Sequence, residues 1–286
     1  MIIGKAISPF ALRKKNGGSV PTDADAQAFI TATGISGTNA TAINKLVIDL
    51  KAANIWTKMK AAYPFVGGTS AFTHKFNLKD PRDLDAAYRL TFFGGGTFSA
   101  NGYQPNGTNA YADTFLIPNT ALTLNNSHFS VYLKTNVAAA QYDIAVQDDM
   151  GPGVGVVGGT FYINPRSATN TLDSSISTSD ANRIITANSD SRGLFITSRT
   201  ANNSLKQYKN SSLLTTQTAL ASGYQSRYSV PLGAFRYIND AGTDTYSSYS
   251  TREQAFASIG NGLTDAESLA LYNAVQTFQT TLGRQV

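Results

Sequence analysis

Two hydrophobic periods divide the chain. In TAINKLVIDLKAAN, residues Ile43, Leu46, Val47 and Leu50 fall at i, i+3, i+4 and i+7, which predicts a helix whose apolar stripe must be covered. A shorter helix is expected before it, beginning near Asp23, with Thr22 as its cap and Asp23 and Asp25 in the first turn, where acids suit the helix dipole. After it, IWTKMKAAYP continues the helical spacing through Trp56, Met59 and Tyr63 until Pro64 ends the run. Trp56, the single tryptophan, reads as an anchor of that helix on a sheet rather than a ligand platform.

From about residue 87 the period becomes 2. HFSVYLKT sets Phe129, Val131 and Leu133 against Ser130, Tyr132 and Lys134, and YDIAVQ sets Tyr142, Ile144 and Val146 against Asp143, Ala145 and Gln147. These read as antiparallel strands with one buried face. GTFYINP, RGLFITSR, LKQYKN and AFRYIN are further short strands between Gly, Asn, Ser and Asp turns. So many short strands predict a mainly β fold, an antiparallel β-sandwich or jelly roll, because doubling the sheet protects its edges. The chain closes on a helix opened by a capping box, Thr264-Asp265-Ala266-Glu267, with the stripe Leu271, Val275, Phe278 and Leu282 behind it and Gly283 at its end. The expected organisation is an N-terminal arm at 1–20, a helical region at 21–64, and a sandwich at 65–286 that includes the closing helix 264–283.

FSVYLKT, the strand pair around LFITSRTANNSLKQYKNSSLL and the closing AFASIGNGLTDAESLALYNAVQTFQTTLGRQV resemble the concanavalin A-like, laminin G-like sandwich domains of tailed-phage virion proteins. Tyr208 to Leu214 is similar to that family's YKNGSLL pattern, with Ser211 where a turn glycine is common, and KLVIDLKAANIWTKMKAAYPFVGGT with HKFNLKDPRDLDAAYRL looks like its leading region. The resemblance spans most of the chain after about residue 23 and rests on structural motifs. It implies a particle component assembled in the bacterial host cytoplasm: a head-fibre, capsid-decorating or tail-fibre subunit, often trimeric and in some cases glycan-binding, with no cofactor. On that reading the arm, with Arg13, Lys14 and Lys15, attaches to other virion proteins.

Composition narrows the chemistry. Only 14% of the 286 residues are charged, so Asn, Ser and Thr must make the surface polar. Of the formal +5 charge, four cations (Lys5, Arg13, Lys14, Lys15) precede the first acid, Asp23, and the remainder is nearly neutral, which disfavours nucleic-acid binding by the body. There are no cysteines, which excludes disulfides and thiolate sites. The N-terminal stretch is broken by Lys5, Pro9 and the Arg13–Lys15 run, so neither a signal peptide nor membrane insertion is expected.

Catalysis is not expected. There are two glutamates, Glu253 and Glu267, and the second has a capping role, while Asp80, Asp83 and Asp85 in LKDPRDLDAAYRL read as a turn with surface pairs to Arg82 or Arg89. His74 and His128 sit at ordinary sheet positions, and no GxSxG, HExxH or EF-hand pattern occurs. Asp148-Asp149 reads first as a solvated turn and second as oxygen ligands for a hard cation. The glycine runs at 94–96 and 151–159 read as connectors, the latter without the ending of a nucleotide loop. The stretch from Pro64 to Leu90 is expected to carry the chain from helix to sheet. Carbohydrate recognition fares better, since it needs aromatic faces beside fixed polar groups. NGYQPNGTNAY supplies Asn101, Tyr103, Asn106, Asn109 and Tyr111, and TDTYSSYS supplies Tyr246 and Tyr249. A host-glycan adhesin is therefore the alternative to a purely structural subunit, and a polysaccharide-degrading enzyme the third reading.

Overall fold

The computed structural model describes residues 22–149, 159–179, 182–220 and 223–286. The arm, with Arg13, Lys14 and Lys15, and most of the glycine run at 151–159 lie outside the described residues. The elements are α1 (Ala24–Thr33), α2 (Gly37–Ala52), β1 (Met59–Tyr63), α3 (Ala71–His74), β2 (Thr91–Phe93), β3 (Thr97–Ser99), β4 (Gly102–Gln104), β5 (Tyr111–Asp113) and α4 (Pro118–Ala121). There follow β6 (Ser127–Leu133), β7 (Ile144–Asp148), β8 (Gly159–Asn164), β9 (Thr171–Ile176), β10 (Ile184–Ala187), β11 (Gly193–Ala201), β12 (Ser204–Lys209) and β13 (Ser212–Gln217). The last are β14 (Pro231–Leu232), β15 (Phe235–Ile238), β16 (Asp244–Ser247), β17 (Gln254–Gly260) and α5 (Asp265–Thr281).

The strands form two face-to-face sheets. One runs β13-β12-β11-β6-β17-β4-β3, with β1 also on β17; the other runs β10-β9-β8-β7-β14-β5-β2, with β15 on β7 and β16 on β15. Pairing is antiparallel except between β15 and β7, where Gly233, at φ 82°, turns the chain after β14 and brings β15 back along the same edge of β7. Phe129, Val131, Ile144, Val146, Phe161, Ile163, Phe195 and Leu232 fill the space between the sheets. A second core joins the first sheet to the helices: Phe29, Leu46, Val47 and Leu50 with Leu271, Val275 and Phe278, over Tyr132, Leu194, Ile196 and Phe256. The helices thus cover the outside of the first sheet, and β6 is buried on both faces rather than one. The outer face of the second sheet contributes nothing to this helical core.

The leading elements differ from expectation in three places. Asp23, not Thr22, caps α1, its carboxylate accepting from the Asp25 amide. Residues 55–63 are not helical: one 3-10 turn at Trp56–Lys58 gives way to β1, because β17 offers a ladder from Met59↔Gly260 to Tyr63↔Ala257 that local periodicity cannot reveal. Trp56 accordingly anchors α1 rather than its own helix, its Nε1 donating to Asp25 Oδ2 at 3.0 Å. His74 ends the short helix α3 and lies buried, whereas His128 is on strand β6 as expected. The Thr264–Glu267 capping box forms as expected, and Lys58 adds an ion pair to Glu267 at 2.6 Å.

In the transition from Pro64 to Leu90 the organising residue is the buried Asn77. Its Oδ1 accepts from the Ala62 and Lys79 amides, and its Nδ2 donates to the carbonyls of Lys60 and Ala87. Among the described residues three arginines are also fully buried. Arg252 pairs with Asp143 at 2.9 Å, while Arg199 and Arg284 donate mainly to backbone carbonyls. Burial lowers Arg284 to about 9.

Candidate functional site

Of the candidate residues in NGYQPNGTNAY, Tyr103 turns inward. It is 0% exposed and packs on Phe65, Phe92 and Phe98 with centroids 6.1, 4.9 and 5.3 Å away. Gly102, at φ 146°, lets the backbone approach Gln254 closely, and the Gln254↔Tyr103 pairing fixes the direction of the ring. Tyr103 is a core aromatic, and the expectation that it meets a sugar is corrected.

Asn106 and Asn109 organise the loop. Asn106 Oδ1 accepts from the amides of Thr108, Asn109 and Ala110, each at 3.0 Å, and its Nδ2 donates to Gly94 O at 2.7 Å and Asn109 Oδ1 at 2.8 Å. These side chains spend their hydrogen bonds on the loop rather than on a ligand. Gly94, at φ 72°, permits this contact: a Cβ there would fall 2.0 Å from Asn109 O.

The loop delivers Tyr111. Its neighbour Ala112 points into the inter-sheet core, so alternation turns Tyr111 to the outer face of the second sheet. There it stacks on its cross-strand partner Phe93, with centroids 4.9 Å apart and planes at 17°. On its other side it stacks on Tyr246 of β16, at 4.3 Å and 22°. This second contact arises because β14 and β15 share one edge of β7, which brings their outer neighbours β5 and β16 together. The two tyrosine-rich segments singled out from the sequence therefore converge on one site. Tyr249 completes it, its ring 6.4 Å from Tyr111 and its hydroxyl donating to Tyr246 O. Phe93, at the end of the row, is 42% exposed.

Behind Tyr246 sits Arg236, its cross-strand partner, with the guanidinium 5.4 Å from the Tyr246 centroid and 5.2 Å from that of Tyr228. Its Nε and Nη2 donate to Asp244 at 3.1 and 2.7 Å, and its Nη1 donates to Ser229 Oγ at 2.6 Å. Burial, the largest single influence, opposes the charge on Arg236, but the Asp244 hydrogen bonds together with the charges of Tyr246, Asp244 and Asp113 hold the group above its ordinary value. Burial also raises the phenols of Tyr111 and Tyr246, so both remain protonated donors at neutral pH.

Sequence reasoning missed Phe93 and the Arg236–Asp244 fork. It also missed a second aromatic row on the same sheet, in which Tyr142 meets Tyr162 and Phe235 at 5.4 and 4.8 Å, and Phe235 meets Tyr237 at 6.2 Å. The alternation in AFRYIN was a usable signal, since it puts Phe235 and Tyr237 on one face.

The acids considered for catalysis have structural partners. Asp80 holds Arg82, Asp83 holds Lys75 and Arg89, Asp85 holds Arg89, and Glu253 accepts from Ser99. Asp148 is buried against Arg227 at 3.1 Å and Asp149 accepts from Tyr237, so Asp148 is not part of a solvated turn. Among the described residues no group of three or more His, Asp or Glu side chains could hold a metal, and no helix is long and apolar enough to cross a membrane.

No protein-family model matches the chain, and no curated protein matches it. Among solved structures, it is similar to the CBM40 of the Ruminococcus gnavus IT-sialidase bound to α2,3-sialyllactose, at 15% identity and TM-score 0.39 over 52% of this chain and 82% of that one. Domain 4 of AbnA, a GH43 extracellular arabinanase from Geobacillus stearothermophilus, in complex with arabinotriose, matches at 14% identity and TM-score 0.45 over 75% and 98%. The ligand-binding domain of botulinum neurotoxin serotype D with N-acetylneuraminic acid matches at 12% identity and TM-score 0.47 over 77% and 52%. These are distant likenesses between β-sandwiches.

Proposed function

We propose that the protein is a non-catalytic, carbohydrate-binding β-sandwich that meets glycans on the uncovered face of its second sheet. The observation that carries this reading is the Phe93–Tyr111–Tyr246 row, exposed at its Phe93 end and held in place from behind by Arg236. A sugar's C–H face can lie on the Phe93 ring, and the protonated phenols of Tyr111 and Tyr246 offer hydroxyl partners beside it. Rings already fixed by stacking lose little freedom on binding, which favours affinity. Retention on a glycan array tests the reading. The wild type should retain a subset of glycans, and Phe93→Ala should lose them while keeping its melting temperature. Retention that is unchanged in Phe93→Ala would refute this site.

A second reading concerns where the sandwich is carried. The resemblance to tailed-phage virion proteins rests on the hairpin Tyr208–Leu214, which turns at Asn210 with φ 53°, and on the Thr264–Glu267 cap. On that resemblance alone, the protein would be a particle-borne subunit, attached through residues 1–20 and oligomeric, with the aromatic row displayed outward. Imaging of assembled particles with and without residues 1–20 tests it: density for the subunit should vanish with the arm, and its persistence would count against attachment through Arg13, Lys14 and Lys15.

A further inference from the structure

Resting on the carbohydrate reading, we infer that the aromatic row is selective for neutral glycans and discriminates against sialylated and uronate-bearing ones. The charges around the row carry this inference. The cation seated against it is Arg236, and an arginine beside a tyrosine platform would ordinarily be the group that captures a sugar carboxylate in a bidentate fork. Here the fork is occupied. Asp244 takes one N–H from each side of it, at 3.1 and 2.7 Å, and Ser229 takes Nη1 through its hydroxyl at 2.6 Å and its carbonyl at 3.3 Å. Arg236 also lies between the Tyr246 and Tyr228 rings, so turning it outward would break both stacking contacts.

A second carboxylate tilts the balance further. Asp113 lies two residues along β5 from Tyr111, on the same outward parity, and its charge acts on Tyr111, Tyr246 and Arg236 alike. Among the described residues, two carboxylates, Asp113 and Asp244, and one guanidinium, Arg236, thus act on the row. An incoming carboxylate would meet net negative charge with no free guanidinium fork, and like-charge juxtaposition is an established source of discrimination between ligands. A neutral hexose, pentose or N-acetylhexosamine asks only for the ring face and the phenolic hydroxyls.

The test compares matched pairs: galactose-terminated oligosaccharides against their sialyl-capped forms, and glucose-terminated against glucuronate-terminated forms, by titration at low salt. The expected result is that at least one neutral member binds and its acidic counterpart binds at least tenfold more weakly. Asp244→Asn, which releases the Arg236 fork, should narrow that gap, and so should Asp113→Asn, whose amide oxygen still accepts from Phe115 N–H and so preserves the local turn. The second variant decides the matter if the first loses its cooperative melting transition. Acidic members that bind as well as neutral ones, with both lost in Phe93→Ala, would overturn the selectivity alone. Retention of neither class by the wild type would overturn the carbohydrate reading and the selectivity with it.

Discussion

The rings of Tyr111 and Tyr246 lie 4.3 Å apart at 22°, joining two branches of the second sheet that share no backbone pairing with each other. Tyr111 belongs to the branch carried by β14, and Tyr246 to the branch carried by β15. The contact is therefore both the centre of the aromatic row and a tie across a split sheet. A double-mutant cycle of Tyr111→Ala and Tyr246→Ala should give a coupling of about 0.5–1.5 kcal/mol in urea denaturation, the range for an aromatic pair beyond its buried area. Additive losses would mean that the two branches are held independently.

The loop that presents Tyr111 depends on a glycine. Gly94→Ala puts a Cβ 2.0 Å from the Asn109 carbonyl at a backbone angle that only glycine adopts easily, so the loop must move. Asn106→Ala removes the acceptor for three backbone amides, a loss of about 1–2 kcal/mol at this exposed position. Both variants should melt at lower temperature and shift the near-ultraviolet circular dichroism of the tyrosine row. An unchanged aromatic signal in Gly94→Ala would show that the row does not depend on the loop.

The sequence made the local elements legible and left the long-range ones hidden. The α2 stripe, the strands β6 and β7 and the capping box of α5 are read from short-range patterns, and each element appears where its spacing puts it, although both faces of β6 are buried. Residues 59–63 fit a helical period equally well and became a strand because β17, nearly two hundred residues later, supplies its partner. The site was half visible for the same reason. Its tyrosines could be named, but whether Tyr103 or Tyr111 faced solvent depended on Gln254 and Ala112, and the meeting of Tyr111 with Tyr246 depended on how β14 and β15 divide one edge of β7. The buried arginines left no local signature, since most of their partners are backbone carbonyls distant in sequence, with Asp143 the carboxylate paired to Arg252.

That aspartate gives a third prediction. Asp143 and Arg252 are both fully buried, and Arg252 also donates to the carbonyls of Val137, Ala139, Gln141 and Arg166, so it ties several connections to β17. Removing either charge alone strands the other out of water. Asp143→Ala or Arg252→Ala should each cost about 3–5 kcal/mol, read from the shift of the urea midpoint. A cost below about 1 kcal/mol would show that water reaches the remaining charge.

The two buried histidines add an acid-sensitive contribution to the stability of the fold. Burial is the main cause that lowers both to about 4. Around His128, Lys58 adds to the effect, while the Asn261 carbonyl, 2.6 Å from Nδ1, and Glu267 oppose it; Ser258 Oγ lies 3.1 Å from Nε2. Around His74, Arg284 adds to the effect and the Gly68 carbonyl, 2.9 Å from Nε2, opposes it, with the rings of Phe65 and Phe98 alongside. In the unfolded chain each imidazole titrates near 6.5, so between 6.5 and about 4 the unfolded state binds more protons, and stability falls as pH falls. The contribution is complete above 6.5 and reaches a loss of about 3 kcal/mol per histidine near pH 4. Asp23, Asp83, Asp190 and Asp265 are held below their ordinary value by cation partners, so their losses come at lower pH. Burial pushes Asp143 the opposite way, an effect that cancels when wild type and variant are compared at the same pH. His128→Gln keeps a polar group against Ser258 and cannot titrate, so its stability should be flatter than that of the wild type between pH 6.5 and 4 in urea titrations. If its slope over that window matches the wild type, His128 is not buried in its neutral form.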